Sequence, residues 1–328
     1  MNLYIRKSHV YIFIISLSLA AFLLLLERSF GIGWDYHVDA KTYAESSSII
    51  SKGIIENGPI KIIGNSYYFI VSIIFKQSVF ALTLFNLIIY SITNVLIFDF
   101  LRIKLNSFFV GKLSSLILIL YIFNPYRLHL GTTILKETPV TFLIVLLFYT
   151  SVFSSLILFI LICLRTAGGI YALAFLDKNK VLLLIILIVI SVIVIPEVQN
   201  LVGDRLVESN EVNIRARASD SIPNWQSLGN FGALLRGIIW PFLALTGSFI
   251  FIAPSSFLLP LAIGPFLNLL VIFNLKKSFL PYTLGLYLSI SLIAIIAPGF
   301  FAFIRYSYPL ISLAPLFVGY EIKKRISH

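Results

Sequence analysis

Long apolar runs recur along the whole chain, and the short stretches between them hold nearly all of its charge. Val10–Leu26 and Phe279–Ala297 each pass without one charged residue, and Val79–Leu101 carries only Asp99. A backbone held in hydrocarbon must satisfy its own hydrogen bonds, and an apolar run does so as a helix. About 20 such residues cross a core of about 30 Å. Over 328 residues the composition agrees: 59% hydrophobic and 12% charged, where a soluble domain carries about 25% charged residues. An ordinary soluble enzyme, a disordered chain and a nucleic-acid-binding module are thereby excluded. The sequence predicts an all-α polytopic membrane protein, organised as one integral membrane domain over 1–328. Its one cysteine, Cys163, lies inside an apolar run, so no disulfide framework or thiolate metal cluster is expected.

The runs predict about ten transmembrane helices. The first, after Arg6 and Lys7, reads as an uncleaved anchor whose N-terminus is cytoplasmic. Residues 27–66 form a polar loop, and Tyr67–Phe75 is too short to span. Further runs follow at Val79–Leu101, Phe109–Phe123, Pro139–Thr150, Leu156–Leu164, Ala167–Leu176 and Val181–Ile195. A second polar loop covers 196–236. Ile238–Ala253, broken by Pro241 and Gly247, reads as re-entrant or interfacial. Phe257–Phe273, Phe279–Ala297 and Tyr306–Tyr320 complete the set. With both termini inside, the short inner connections collect twelve of the 25 basic residues and only three of the 14 acids. That is the positive-inside bias. The net charge of +11 then faces anionic lipid and needs no nucleic acid. Trp34, Trp225 and Trp240 all fall on the outer side, as an aromatic belt or as platforms for sugar rings.

The acids that remain gather on the outer side, in loops 27–78 and 196–236 and in a turn near 137. Asp35 and Asp39 are four apart, so both carboxylates share one face if the segment is helical. Either can act as a general base on a hydroxyl; the competing reading is a solvated loop with Asp35 as an N-cap. Arg127, His129, Lys136 and Glu137 form a second cluster. It is either a charged boundary with a snorkelling lysine or a cation for a lipid phosphate beside an acid near a sugar. Arg165 and Arg305 stand at apolar boundaries, where a charge costs up to ~2.5–3.5 kcal/mol at a helix centre and needs a partner or ligand. The planar fork of arginine suits phosphate; a buried ion pair with an outer carboxylate is the alternative. Arg205, Glu208, Glu211, Arg215, Arg217 and Asp220 alternate in sign, as a solvated face does. No metal-binding or nucleotide-binding motif is present, so no metal and no cofactor are expected.

In order along the chain stand Asp35, Asp39 and Tyr43; Asn65-Ser66-Tyr67-Tyr68; Asn124-Pro125; Lys136-Glu137; Leu164-Arg165-Thr166; and Arg305-Tyr306-Ser307-Tyr308-Pro309. This layout resembles the GT-C superfamily of polyprenyl-phosphate-dependent membrane glycosyltransferases, above all the bacterial protein mannosyltransferase and aminoarabinose transferase type. Related small proteins act in O-antigen and capsule assembly, some as repeat-unit polymerases. The resemblance implies a base just after the first span, best matched by Asp35 and next by Asp39. The family's adjacent Asp-Glu pair is replaced here by Asp35-Tyr36. It implies donor-phosphate contacts at Arg165, Arg305 and Lys136, with Arg127, Glu137 and Tyr306 beside them. The implied donor is an undecaprenyl-(di)phosphate-linked sugar. The acceptor is lipid-linked or glycan, since no C-terminal soluble domain is seen. The place is the outer face of a bacterial inner membrane, with membrane lipid as the other partner. A flippase or transporter of lipid-linked oligosaccharide is the alternative; its path would need charges through the bundle, which the apolar runs lack.

Overall fold

A computed structural model of the chain describes residues 6–34, 36–56, 62–104, 114–150, 152–165, 168–175, 222–223, 225–252, 259–273, 284–297 and 299–326, with isolated positions at 186, 190 and 196. Every regular element among the described residues is a helix. Chain contacts divide them into two compact units, Met1–Ser107 with Leu118–Gly169, and Phe108–Ile117 with Ile170–His328. Two helices, Lys7–Ser29 and Val79–Arg102, are long and apolar enough to cross a membrane. A bent pair at Phe300–Ile311 and Ala314–Glu321 makes up to three.

The first unit is built on four helices. α1 (Lys7–Ser29) turns Tyr11, Ile14, Phe22 and Leu25 outward. An apolar exposed stripe of this kind is what lipid contact requires. α4 (Val79–Phe98) begins at Ser78, whose Oγ accepts a hydrogen bond from the Ala81 backbone N–H, the usual work of an N-cap. α1 and α4 run antiparallel. His9 pairs with Asp99 (3.3 Å) at one end, and Asn94 Nδ2 donates to Ser16 Oγ (3.1 Å) further along. α7 (Glu137–Leu147) runs parallel to α4, since Asn86 meets the chain just before it and Tyr149, just past it, donates to Asp99 (3.1 Å). α8 (Ser154–Leu164) then returns beside α7.

One end of this unit is therefore where α1 and α8 finish and α4 and α7 start. Three shorter pieces cover it: α2 (Val38–Glu56), α3 (Ser66–Phe69, passing into a π-turn over Ile70–Ile74) and α6 (Pro125–Thr132), which follows α5 (Ser114–Ile122). α6 starts sharply because Asn124 Oδ1 accepts from the N–H groups of Tyr126 and Arg127 (3.1 Å each) and Pro125 fills its first position. About half of the polar loop expected over residues 27–66 is thus a 19-residue helix. Its polarity hid the helix, because burial against α3 and the π-turn supplies what its own weak apolar face does not.

The second unit holds α9 (Gly168–Ala172) at its boundary, α10 (Gly229–Thr246), α11 (Phe249–Ile252), α12 (Leu259–Phe273), α13 (Leu284–Ile296), α14 (Phe300–Ile311) and α15 (Ala314–Ile326). α10 packs on α13. It begins well before the apolar run expected from Ile238 and stops at Gly247, whose φ of 71° is the left-handed close that glycine permits. Its first half reads as polar, yet Arg236 is fully buried and donates to the Ala297 and Ile295 carbonyls (3.1 and 2.8 Å). These carbonyls end α13, where a cation is favoured. Trp240 is fully buried, with Nε1 donating to the Pro223 carbonyl (3.1 Å). It is a core residue of this unit and does not belong to an aromatic belt. The run expected over Tyr306–Tyr320 is broken: α14 and α15 meet at a 41° bend after Pro309, the residue that costs a helix a hydrogen bond. The run Val181–Ile195 and most of loop 196–236, with Arg205, Glu208, Glu211, Arg215, Arg217 and Asp220, lie outside the described residues.

Asn86 is the pin of the first unit. Its Nδ2 donates to the Thr133 and Leu135 carbonyls (2.7 and 2.9 Å), in a fully buried position. Asn86→Leu keeps the volume and strands two carbonyls, so it lowers stability by about 2–3 kcal/mol. Denaturation of the purified protein in detergent measures the loss.

Candidate active site

Asp39 lies in the first turn of α2, where the helix dipole favours a carboxylate. Tyr43 follows one turn later on the same face and is almost wholly buried. Its ring meets the edge of Tyr67 (centroids 4.8 Å apart) and the ring of Tyr68 (5.1 Å), both on α3. Tyr67 is held in turn by its hydroxyl, which donates to the Ile134 carbonyl (2.9 Å). From there the chain enters α7 at Glu137, which is fully buried. Glu137 Oε1 accepts a hydrogen bond from Arg165 Nη2 at 2.6 Å. Arg165 is the residue on which α8 ends, in extended conformation, and is 7% exposed. Two further bonds fix this corner: the Gly168 N–H donates to the Arg165 carbonyl (2.7 Å), and the Gly64 N–H donates to the Ile162 carbonyl (3.0 Å).

The Tyr43 phenol registers all of these groups. Burial pushes its pKa well above the usual tyrosine range, the negative charges of Glu137 and Asp39 push it further, and the Arg165 guanidinium opposes them. Tyr67 is raised by burial and then by Glu137. Tyr68 is raised by burial and then by Asp39. Residues from four stretches of chain thus converge on one hydroxyl, which stays protonated and remains a donor. The corner offers a carboxylate near a helix start, a neutral phenol and an oriented guanidinium in a low-dielectric setting. Those groups suit proton acceptance by Asp39 and hydrogen bonding to a developing anion.

Beside it, at the same end of the unit, stands a second assembly. Glu27, in the last turn of α1, receives a hydrogen bond at Oε1 from His129 Nδ1 (2.5 Å) and at Oε2 from Thr132 Oγ1 (2.7 Å). His129 Nε2 faces His37 Nε2 at 2.9 Å. Tyr36 meets both imidazoles edge-on, with centroids 5.2 and 6.0 Å away. His37 immediately precedes α2, and its carbonyl accepts the N–H groups of Ala40 (2.9 Å) and Lys41 (3.3 Å).

Of the residues expected to form a site, the structure gathers Asp39, Glu137 and Arg165 around Tyr43. The alternative reading of Arg165 as a paired buried cation is met by Glu137, which the sequence placed with Lys136 as a separate cluster. Lys136 is half-buried at the start of α7. Arg127 points elsewhere. It is 3% exposed, donates through Nη2 to Asn94 Oδ1, lies over the Tyr90 ring (5.6 Å) and lines a small cavity with Thr93, Thr138 and Thr141. Asp35 lies outside the described residues. Arg305 and Tyr306 belong to α14 in the second unit, where Tyr171 donates to the Tyr306 carbonyl (2.8 Å). Glu27 and His37 were not singled out from the sequence. The one signal for Glu27 is a carboxylate closing an apolar run; nothing in the sequence couples it to His129, 102 positions away. No family profile, curated protein or solved structure matches the chain.

Removing one member of a buried ion pair leaves the other charge stranded, at about 3–5 kcal/mol. Arg165→Met and Glu137→Gln should each destabilise the protein by that order, and the double variant should recover much of the loss. Denaturation midpoints of the three variants in detergent test it. Alkali tests the phenols. The stability held in protonated Tyr43, Tyr67 and Tyr68 is intact below about pH 10, the unfolded value. It is lost as pH rises toward their elevated folded values. Phenolate absorbance should therefore appear late and together with unfolding.

Proposed function

We propose that the protein is a membrane glycosyltransferase of GT-C type. It spans a bacterial inner membrane about ten times with both termini in the cytoplasm, and it works at the outer face. It moves a sugar or oligosaccharide from an undecaprenyl-(di)phosphate carrier to a lipid-linked or glycan acceptor during cell-surface polysaccharide assembly, where it serves as a transferase or a repeat-unit polymerase. The observation that carries this reading is the convergence of Asp39, Tyr43, Glu137 and Arg165 at one end of a membrane-type helical unit. The chemistry requires a proton acceptor and a phosphate-binding cation close together, where a lipid-anchored head group can lie.

The acceptor hydroxyl approaches the anomeric carbon. Its proton passes to a carboxylate of the segment 35–39 as the new C–O bond forms. The bond from the anomeric carbon to the phosphate oxygen breaks, and its electron pair leaves with the phosphate. Lys136 and Arg165 meet the charge that develops there. Glu137 holds the guanidinium in place, so that stabilising the transition state needs no reorganisation. The tyrosine cluster around Tyr43 supplies neutral donors and a surface for the sugar.

Asp35→Asn and Asp39→Asn separate the two carboxylates. The variant that removes the base should lower product by at least about a hundredfold while the protein still reaches the membrane. Glycolipid and polysaccharide profiling of a deletion strain carrying each variant provides the readout. A polysaccharide ladder collapsed to one repeat unit identifies a polymerase, and loss of one decoration identifies a transferase. Normal product from the Asp35, Asp39 double variant rejects the reading. So does build-up of the complete lipid-linked unit on the cytoplasmic side, which means a flippase.

A further inference from the structure

Glu27, His129 and His37 form a chain of titratable groups that the corner around Tyr43 does not use. Thr132 Oγ1 lies 2.7 Å from both Glu27 Oε2 and the His129 carbonyl. With Glu27 ionised, its carboxylate accepts from His129 Nδ1 and Thr132 Oγ1 and serves as the anionic end. In that arrangement His129 carries its proton on Nδ1 and presents Nε2 to His37. At 2.9 Å between ring nitrogens, one proton lies on the line between the two imidazoles. Two protons cannot, because two imidazolium ions in contact repel. The assembly thus exists in two states. In one, both imidazoles are neutral and Glu27 leaves a net charge of −1. In the other, a single extra proton is shared and the net charge is zero.

The position of the assembly matters as much as its chemistry. His37 is the residue before α2 and stands two positions from Asp39, with the first N–H groups of the helix anchored on its carbonyl. Two residues span less than about 7 Å of chain. His129 and Thr132 come from α6, and Glu27 from the end of α1. Among the described residues, Tyr36 and Tyr126 also stand at ring-contact distance from the imidazoles. Arg28, beside Glu27 in the chain, turns its guanidinium to the Ile32 carbonyl (3.2 Å) and leaves Glu27 to His129.

We infer that Glu27, His129 and His37 are a proton relay serving the adjacent site, with His37 as the end that receives the proton released there. This rests on the glycosyl-transfer reading for the source of the proton, and the relay itself stands on the geometry above. The step balances. The acceptor O–H bond breaks and its proton passes by way of the aspartate to His37 Nδ1. The proton on His37 Nε2 moves to His129 Nε2. The resulting imidazolium rests against the Glu27 carboxylate, and the aspartate is returned to its ionised form; once product has left, the steps run backward and His37 Nδ1 gives the proton to water, which resets the relay. The three side chains need not touch the sugar; they are positioning and proton-holding groups, and their loss slows the reaction without removing it.

The test uses the full-length protein in lipid nanodiscs. Histidine ring resonances from labelled protein are followed across pH. Wild type should take up one proton for the pair, and Glu27→Gln should move that uptake to lower pH because the stabilising anion is gone. In parallel, the pH dependence of product formation is measured. Glu27→Gln should cost roughly tenfold or more and shift the acid limb of the profile to lower pH, whereas a merely structural loss lowers the rate at every pH alike. Unchanged histidine titration in Glu27→Gln overturns the relay whatever the reaction proves to be. So does a requirement for added Zn²⁺ that His129→Gln abolishes, because the facing nitrogens would then be ligands. A shifted titration with normal polysaccharide from the Asp35, Asp39 double variant would leave the relay standing and sink glycosyl transfer.

Discussion

A charge taken out of water must be met by another, and the first unit is arranged around that constraint. Glu137 opens α7 and Arg165 ends α8, so the pair between them fixes where the hairpin of these two helices closes. Neither residue could occupy its place alone. An isolated carboxylate in such a setting would protonate, and an isolated guanidinium would be drawn out to the boundary. Together they form a neutral body with a large dipole. Burial of this kind adds little net stability compared with an apolar pair, yet it tolerates few alternative arrangements. The field of the pair reaches Tyr43 and Tyr67, which pack on each other, and Tyr43 shares a helical face with Asp39.

The same rule organises the rest of the unit. At the far end of α1, His9 pairs with Asp99, which also receives the Tyr149 hydroxyl. Midway, Arg127 is held by Asn94, and Asn94 by Ser16. Polar side chains on α1, α4 and α6 that look scattered in the sequence are thus successive rungs across the helix contacts. Each rung fixes the register of its helices: sliding α1 by one turn along α4 would break both His9–Asp99 and Ser16–Asn94. Apolar contact alone would not resist such a slide, since lipid and leucine side chains offer nearly the same surroundings.

Helical class and membrane character were legible because they follow from composition and run length, which do not depend on partners. α1 and α4 were found to within three residues at each end for that reason. α2 was not, because a helix laid over the end of a bundle is buried by tertiary contact and shows no long apolar run. The short rows α7 and α8 were found, but their joint closure by Glu137 and Arg165 was not, since 28 positions separate the partners. Trp240 was misplaced by type: tryptophan is common at interfaces, and only packing reveals that this one is interior. Of the candidate residues, Arg165 was singled out by the cost of a charge at an apolar boundary, Asp39 by its spacing from Asp35, and Glu137 by its place beside Lys136. Glu27 escaped because a carboxylate closing an apolar run looks like the ordinary end of a span. His37 escaped because a histidine in a polar segment looks solvated. Their meaning exists only in contact with His129.

The two assemblies at this end share a property that bears on function. Glu137 with Arg165 is neutral, and the Glu27 relay becomes neutral when it holds a proton. A site that moves charge beside hydrocarbon must avoid leaving net charge behind, because each uncompensated ion costs several kcal/mol. Transfer of a sugar from a phosphate carrier moves a proton one way and an electron pair the other. A resident ion pair can redirect its field toward the departing phosphate, while a resident carboxylate and imidazole pair absorbs the proton. Neither device needs water to enter. The charged groups at this end of the unit accordingly occur as compensated sets.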